Sequence, residues 1–157
     1  ALGLYNTVEL KMSDEPIVQV QGRGVDTLPA DETNLCYQAA EKLAERIGMP
    51  GTWHLRQSNE IPLASGMGSS SAAIVGGLKA AEAVLSLNLG DDELLDLAVE
   101  LEGHPDNVAP ALLGGLTVCY EAADETRKAL PAASTRALPR RCAIVSISPT
   151  APTWCRG

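Results

Sequence analysis

Between Pro62 and Ala73 the chain reads PLASGMGSSSAA: two glycines one residue apart, three serines, then small residues opening an apolar run. Gly66 and Gly68 let the backbone reach positive φ and leave no Cβ between main chain and ligand. Ser69, Ser70 and Ser71 stand where a helix would begin. Serine there caps free N–H groups, and the same N–H groups can face an anion instead. A helix start carries roughly half a positive charge, and its backbone donors converge on one spot. Pro62, Ala64, Ser65, Met67 and Ala72 complete the candidate cradle. The chemistry on offer is phosphate binding, with one serine hydroxyl available to Mg2+. A plain turn that caps a helix is the alternative these residues leave open, although such a turn has no use for three hydroxyls.

The spacing excludes two familiar phosphate sites. No lysine follows Gly68, as G-x-x-x-x-G-K-[ST] requires. The third glycine of a dinucleotide fingerprint, and its acid about 20 residues on, are missing too. The stretch instead resembles the glycine–serine loop of the GHMP kinases, P-x-x-x-G-[LM]-G-S-S-[AS]-A. A second stretch, EGHPDNVAPALLGG from Glu102 to Gly115, is similar to the homoserine kinase branch of that family. The two motifs stand in the family's order, and the likeness covers roughly residues 1–120.

The resemblance implies an α+β fold, the GHMP kinase N-terminal domain, with a mostly antiparallel sheet backed by helices. It implies ATP and Mg2+ as cofactors and L-homoserine as the small-molecule substrate. The activity implied is transfer of the γ-phosphoryl of ATP to the side-chain hydroxyl of L-homoserine, in threonine synthesis. A mevalonate- or sugar-type kinase of the same family is the alternative, and HPDNVAPA argues against it. Phosphoryl transfer is mostly positioning plus charge neutralisation. Mg2+ takes oxygen ligands, and Ser70 and Glu102 can offer them from two helix ends; Glu100 is the alternative carboxylate. A carboxylate at a helix C-terminus opposes the dipole, which hints at a bound cation. Asn34 matches a family asparagine that lies against the nucleotide base; capping a helix is its other reading. Asp106 is read as an N-cap and substrate contact, with Asn107 near the accepting hydroxyl. An Asp106 that acts as a base is the other reading within the family. His104 is expected to be structural.

These groups need elements to hold them. The alternation of Asn6, Val8 and Leu10 against Tyr5, Thr7, Glu9 and Lys11 predicts a strand ending near Lys11, with Ile17 to Gln21 as its returning partner. Gly22 and Gly24 break the pattern. Leu35, Ala39, Leu43 and Ile47 predict a helix over 31–47, capped by Asp31 or Thr33 and stopped by Gly48 and Pro50. Thr52 to Ser58 predicts a strand feeding the loop, with His54 on its outer surface. Helices follow over 69–87 and 92–102, the second capped by Asp91, and the pair should pack antiparallel. Gly103 and Pro105 end the latter. Asp106 and Asn107 then cap a short helix, followed by a strand over 116–120, a loop or weak hairpin over 121–141, and a strand over 142–148.

Against the family pattern, residues 1–148 read as a nucleotide-binding domain without its first strand and motif. Residues 149–157 read as a divergent tail, and the second domain is absent. The chain is thus expected to be truncated at both ends and inactive by itself, or a remnant that binds nucleotide weakly or not at all. A missing first strand would leave an open sheet edge, which invites self-association into a homodimer.

Composition narrows the rest. Over 157 residues the net charge is −8, which argues against nucleic acid and anionic membrane as partners. An anion site must then be built locally from amides and dipoles. Hydrophobic residues make up 45% with no Phe, so aliphatic residues and alanine must fill the core. The four cysteines, Cys36, Cys119, Cys142 and Cys155, lack metal spacing and read as reduced thiols of a cytoplasmic protein. Neither a membrane-length apolar stretch nor a secretion signal is legible.

Overall fold

The computed structural model describes residues 3–115, 117–121 and 127–131. Its elements, in chain order, are β1 (Asn6–Ser13), β2 (Ile17–Gly22), α1 (Leu35–Arg46), β3 (Thr52–Asn59), α2 (Ser69–Val84), α3 (Asp91–Glu102), α4 (Pro105–Leu113), β4 (Thr117–Glu121) and β5 (Arg127–Pro131). This is an α+β arrangement with the order β1-β3-β2 in its main sheet and a separate β4–β5 hairpin. The strand expected over 142–148 and the tail lie outside the described residues.

The alternation in β1 works as anticipated: Asn6, Val8 and Leu10 are buried, while Lys11 is exposed. In β3, Trp53, Leu55, Gln57 and Asn59 face inward, and half-buried His54 faces out. The pairing of β2 corrects the expected return strand. It does not hydrogen-bond to β1 but runs parallel to β3, with Ile17 opposite His54, while β1 is antiparallel to β3. Distance allows this. Two strands separated by a third lie roughly 10 Å apart, and the four steps from Ser13 to Ile17 reach about 13 Å. The chain crosses the start of β3, leaving the central place for a strand that arrives later. The sheet is therefore mixed.

Helix α2 is the packing centre, with ten buried residues from Ser71 to Ala81, seven of them Gly, Ala or Ser. A Cβ built on Gly76 would stand 2.8 Å from Val8 Cγ2, and one on Gly77 would stand 2.2 Å from the carbonyl oxygen of Cys36. The helix is thus pressed against the sheet on one side and against α1 on the other. A core without Phe reaches native density here by close backbone approach rather than by filling space with large rings.

Several helix ends differ from expectation. Helix α1 starts at Leu35, capped by Asn34, whose side chain accepts from the Cys36 N–H. Asp31 cannot be the cap, because its carboxylate accepts the Thr33 N–H at 2.9 Å in a turn before the helix. The Thr33 hydroxyl, which donates to the same oxygen, and then the Thr33 N–H hold the Asp31 carboxyl below its ordinary pKa. Helix α2 stops at Val84, and Ser86 takes a left-handed φ of 54°. Gly90 rather than Asp91 precedes α3 as its cap. In α4 the cap position belongs to His104, with Pro105 first inside the helix, where its missing N–H costs nothing. Asp106 is therefore not the N-cap.

The close contact at Gly77 makes a direct prediction. Gly77→Ala should lower unfolding stability by about 3 kcal/mol or more, since backbone rather than a flexible side chain blocks the new methyl. Gly90→Ser, at an open N-cap with no atom within 4 Å of the added Cβ, should change it by less than about 0.5 kcal/mol. Urea denaturation midpoints check both.

Candidate active site

The loop over 60–68 leaves β3 tethered by a buried side chain. Asn59 is 1% exposed and ties down both neighbouring chain segments. Its Nδ2 donates to the carbonyls of Arg23 at 3.0 Å and Ile61 at 2.9 Å, and its Oδ1 accepts the Ile61 N–H at 3.0 Å. The loop then turns through left-handed residues: Ala64 at φ 51°, Gly66 at 70° and Gly68 at 72°. Ser65 braces the turn by donating its hydroxyl to the Pro62 carbonyl at 2.7 Å.

Gly68 is the N-cap of α2, and no side chain caps that helix end. Of the two readings the sequence left open, side-chain capping by the serines is the one this geometry does not bear out. The first intrahelical bond runs from the Ala72 N–H to the Gly68 carbonyl at 2.9 Å. The amides of Ser69, Ser70 and Ser71 meet no acceptor among the described residues. Two of the three serine hydroxyls are drawn to one carboxylate. Ser70 Oγ donates to Glu102 Oε1 at 2.7 Å, and Ser71 Oγ donates to the same oxygen at 2.9 Å. Glu102 ends α3, where its own helix dipole repels it, but its carboxylate is held at the positive end of α2. Its second oxygen takes no hydrogen bond among the described residues.

The second motif closes on the first through Asn107. A Cβ on Gly68 would lie 3.3 Å from the Asn107 Cβ, so the left-handed glycine is seated on that side chain. Together these residues line a cleft of about 550 Å³. Its walls include Asn34, Pro62, Ala64, Ser65, Gly66, Met67, Gly68, Ser69, Ser70, Glu102 and Asn107, eleven of the residues expected at the site. The remaining expected residues lie elsewhere. Ser71 and Ala72 are on the buried face of α2, and the Ala72 amide is spent on the helix. Glu100 is exposed on the far side of α3, 2.7 Å from Lys42 Nζ, which holds its carboxyl below the usual range. The structure therefore leaves Glu102, not Glu100, as the carboxylate beside Ser70. Asp106 is exposed and hydrogen-bonded to His104, which does line the cleft.

Sequence reasoning missed Gln57, which lines the cleft although only 2% exposed. A polar residue at an inward position of β3, between Leu55 and Asn59, was the available signal.

Mg2+ fits this donor set. Among the described residues no cluster of three acidic, His or Cys groups exists. Mg2+ needs none, since it usually keeps waters and phosphate oxygens beside one or two carboxylates. No described helix is long and apolar enough to cross a membrane.

The chain is similar to known proteins in sequence and fold. The family model for the GHMP kinases N terminal domain matches residues 34–115, just over half of the chain. The homoserine kinase of Carboxydothermus hydrogenoformans is 53% identical over 120 residues, covering 75% of this chain and 40% of the relative. A Listeria monocytogenes structure assigned as a homoserine kinase superposes with a TM-score of 0.68 at 36% identity, over 83% of this chain and 46% of that one. The Cytophaga hutchinsonii homoserine kinase gives 0.64 at 30% identity, over 78% and 41%. The chain spans about 40% of the length of the curated relatives it matches.

The shared acceptor on Glu102 has a measurable weight. Glu102→Ala leaves the fully buried Ser71 hydroxyl without its partner and should cost about 1 kcal/mol of unfolding stability. Glu102→Gln keeps an acceptor oxygen and should cost less than half of that; guanidinium unfolding distinguishes the two.

Proposed function

The chain belongs to the GHMP kinases, matched through their N-terminal domain, and on that premise we propose that its cleft holds MgATP for phosphoryl transfer to the side-chain hydroxyl of L-homoserine. The observation that carries this reading is the set of uncapped amides at Ser69, Ser70 and Ser71, opening on a cleft whose far motif supplies Glu102 and Asn107. An anion placed there satisfies donors that the protein leaves unpaired, and it gains from the α2 dipole. The homoserine acceptor is inferred from the names of the more similar relatives, such as the homoserine kinases of Carboxydothermus hydrogenoformans and Cytophaga hutchinsonii. The reaction would serve threonine synthesis in the cytoplasm.

Mg2+ would be held by the Ser70 hydroxyl and the open oxygen of Glu102. When bound, it neutralises charge on the transferring phosphates. The chain's own residues do the positioning. Gly66 and Gly68 bring backbone close to the phosphates without a Cβ in between. Asn107 fixes Gly68 and presents an amide at the same spot, beside the accepting hydroxyl. Asp106, exposed and paired with His104, acts from outside the cleft rather than as a base within it.

Isothermal titration of the 157-residue chain with MgATP tests the reading, beside a variant carrying Gly68→Val and Ser70→Ala. Valine cannot keep a φ of 72° without strain and would press on Asn107. The variant should lose roughly tenfold or more in affinity, as charge-assisted bonds to phosphate go. Equal heats from the two proteins would dismiss the nucleotide site.

A further inference from the structure

Besides the start of α2, the cleft is lined by apolar side chains, Leu28, Pro29, Leu35 and Leu63 among them. Leu35 and Met67 are among the few large apolar side chains left exposed in the structure. Gln57 lines the same cleft, and the orientation of its amide is forced. Asn34 Oδ1 accepts the Cys36 N–H at 2.9 Å, and a backbone N–H can only donate. Asn34 Nδ2 therefore points the other way and donates to the Pro29 carbonyl at 2.9 Å and to Gln57 at 2.9 Å. Gln57 must answer with its oxygen. Turning either amide over would set N–H against N–H, or oxygen against oxygen, in a buried pair. The Gln57 amide nitrogen is what remains, and it meets no acceptor among the described residues. A nearly fully buried side chain thus keeps one unpaired donor at the wall of an open cleft with apolar lips. That nitrogen is not among the fully buried polar atoms without a partner, so it opens on the cleft, where a ligand acceptor can take the place of water.

We propose that Gln57 is a specificity-determining residue that donates its amide N–H to an acceptor atom on the nucleobase. This inference rests on the nucleotide reading of the cleft. Asn34, with both polar ends committed inside the protein, is the positioning residue that aims Gln57. Leu35 and its apolar neighbours offer faces for a flat ring, and the Gln57 donor selects rings carrying an oxygen or an unprotonated nitrogen at that edge.

Titrating the 157-residue chain with MgATP and, separately, with magnesium tripolyphosphate separates base recognition from phosphate recognition. Gln57→Met removes the donor at similar volume. It should weaken MgATP binding roughly five- to tenfold, while tripolyphosphate affinity stays within about twofold, which also shows that the cradle is folded. Gln57→Glu should bind MgATP poorly at about pH 8 and recover, relative to wild type at the same pH, toward about pH 5.5, where a buried carboxyl regains a proton and can donate. Equal losses for both ligands in Gln57→Met, no loss at all, or a pH-independent defect in Gln57→Glu would overturn the base contact. Wild-type chain that prefers MgATP to tripolyphosphate by no margin would do the same. Binding of neither ligand by the wild-type chain would overturn the nucleotide reading, and this inference with it.

Discussion

A helix that begins on a left-handed glycine has no side chain with which to cap itself. That constraint governs this molecule. Gly68 enters α2 at φ 72°, the next three residues donate their hydroxyls elsewhere or not at all, and the first-turn amides stay open. Open amides at a helix start are tolerable only where water or an anion can reach them. The loop is therefore stable only beside an open cleft, and the cleft takes its donors from the loop. Any side chain at Gly68 would be strained at φ 72° and would press on Asn107, so the position cannot be given a capping group without moving the loop.

The polar residues buried in the structure gather at the end of the sheet that carries the cleft. Asn59 fixes the loop at Ile61, and Asn6 stands opposite Asn59 in the strand register. Asn34 and Gln57 join α1 to β3, and Ser71 joins α2 to Glu102. The other end of the same interface is apolar and tightly packed, with Gly76 on Val8 and Gly77 on Cys36. The division has a physical sense. Small apolar contacts set how closely the layers approach, whereas directional hydrogen bonds set where the cleft walls stand. The Cys36 thiol, fully buried at the seam of the two regions, is pushed well above its ordinary pKa by desolvation and is chemically inert in the folded protein.

Much of the site was legible because its chemistry is local. Glycines needing positive φ, hydroxyls at a helix start and a Gly-His-Pro break all act within a few residues of themselves. What was illegible depended on partners far along the chain. Asp31 and Thr33 carry good capping side chains, yet they satisfy each other, and the cap passed to Asn34. Glu100 and Glu102 look equivalent as candidate ligands. Two residues along a helix is about 200° of rotation, so one faces Lys42 and the other the serines. Gln57 gave no warning beyond being polar at an inward position. Its role depends on Asn34, 23 residues earlier, and on which way that amide is locked.

The sequence by itself determined the periodicities, the breaks and the glycine–serine turn into a helix, since each follows from backbone sterics and from hydrogen bonds between near neighbours. The tertiary structure decided that β2 lies parallel to β3 instead of returning along β1, that Ser70 and Ser71 serve Glu102 rather than their own helix, and that Glu102, not Glu100, reaches the cleft. Those outcomes depend on which groups meet across long stretches of chain. Such meetings are selected by burial and by competition for hydrogen-bond partners, and neither is visible until the layers have packed.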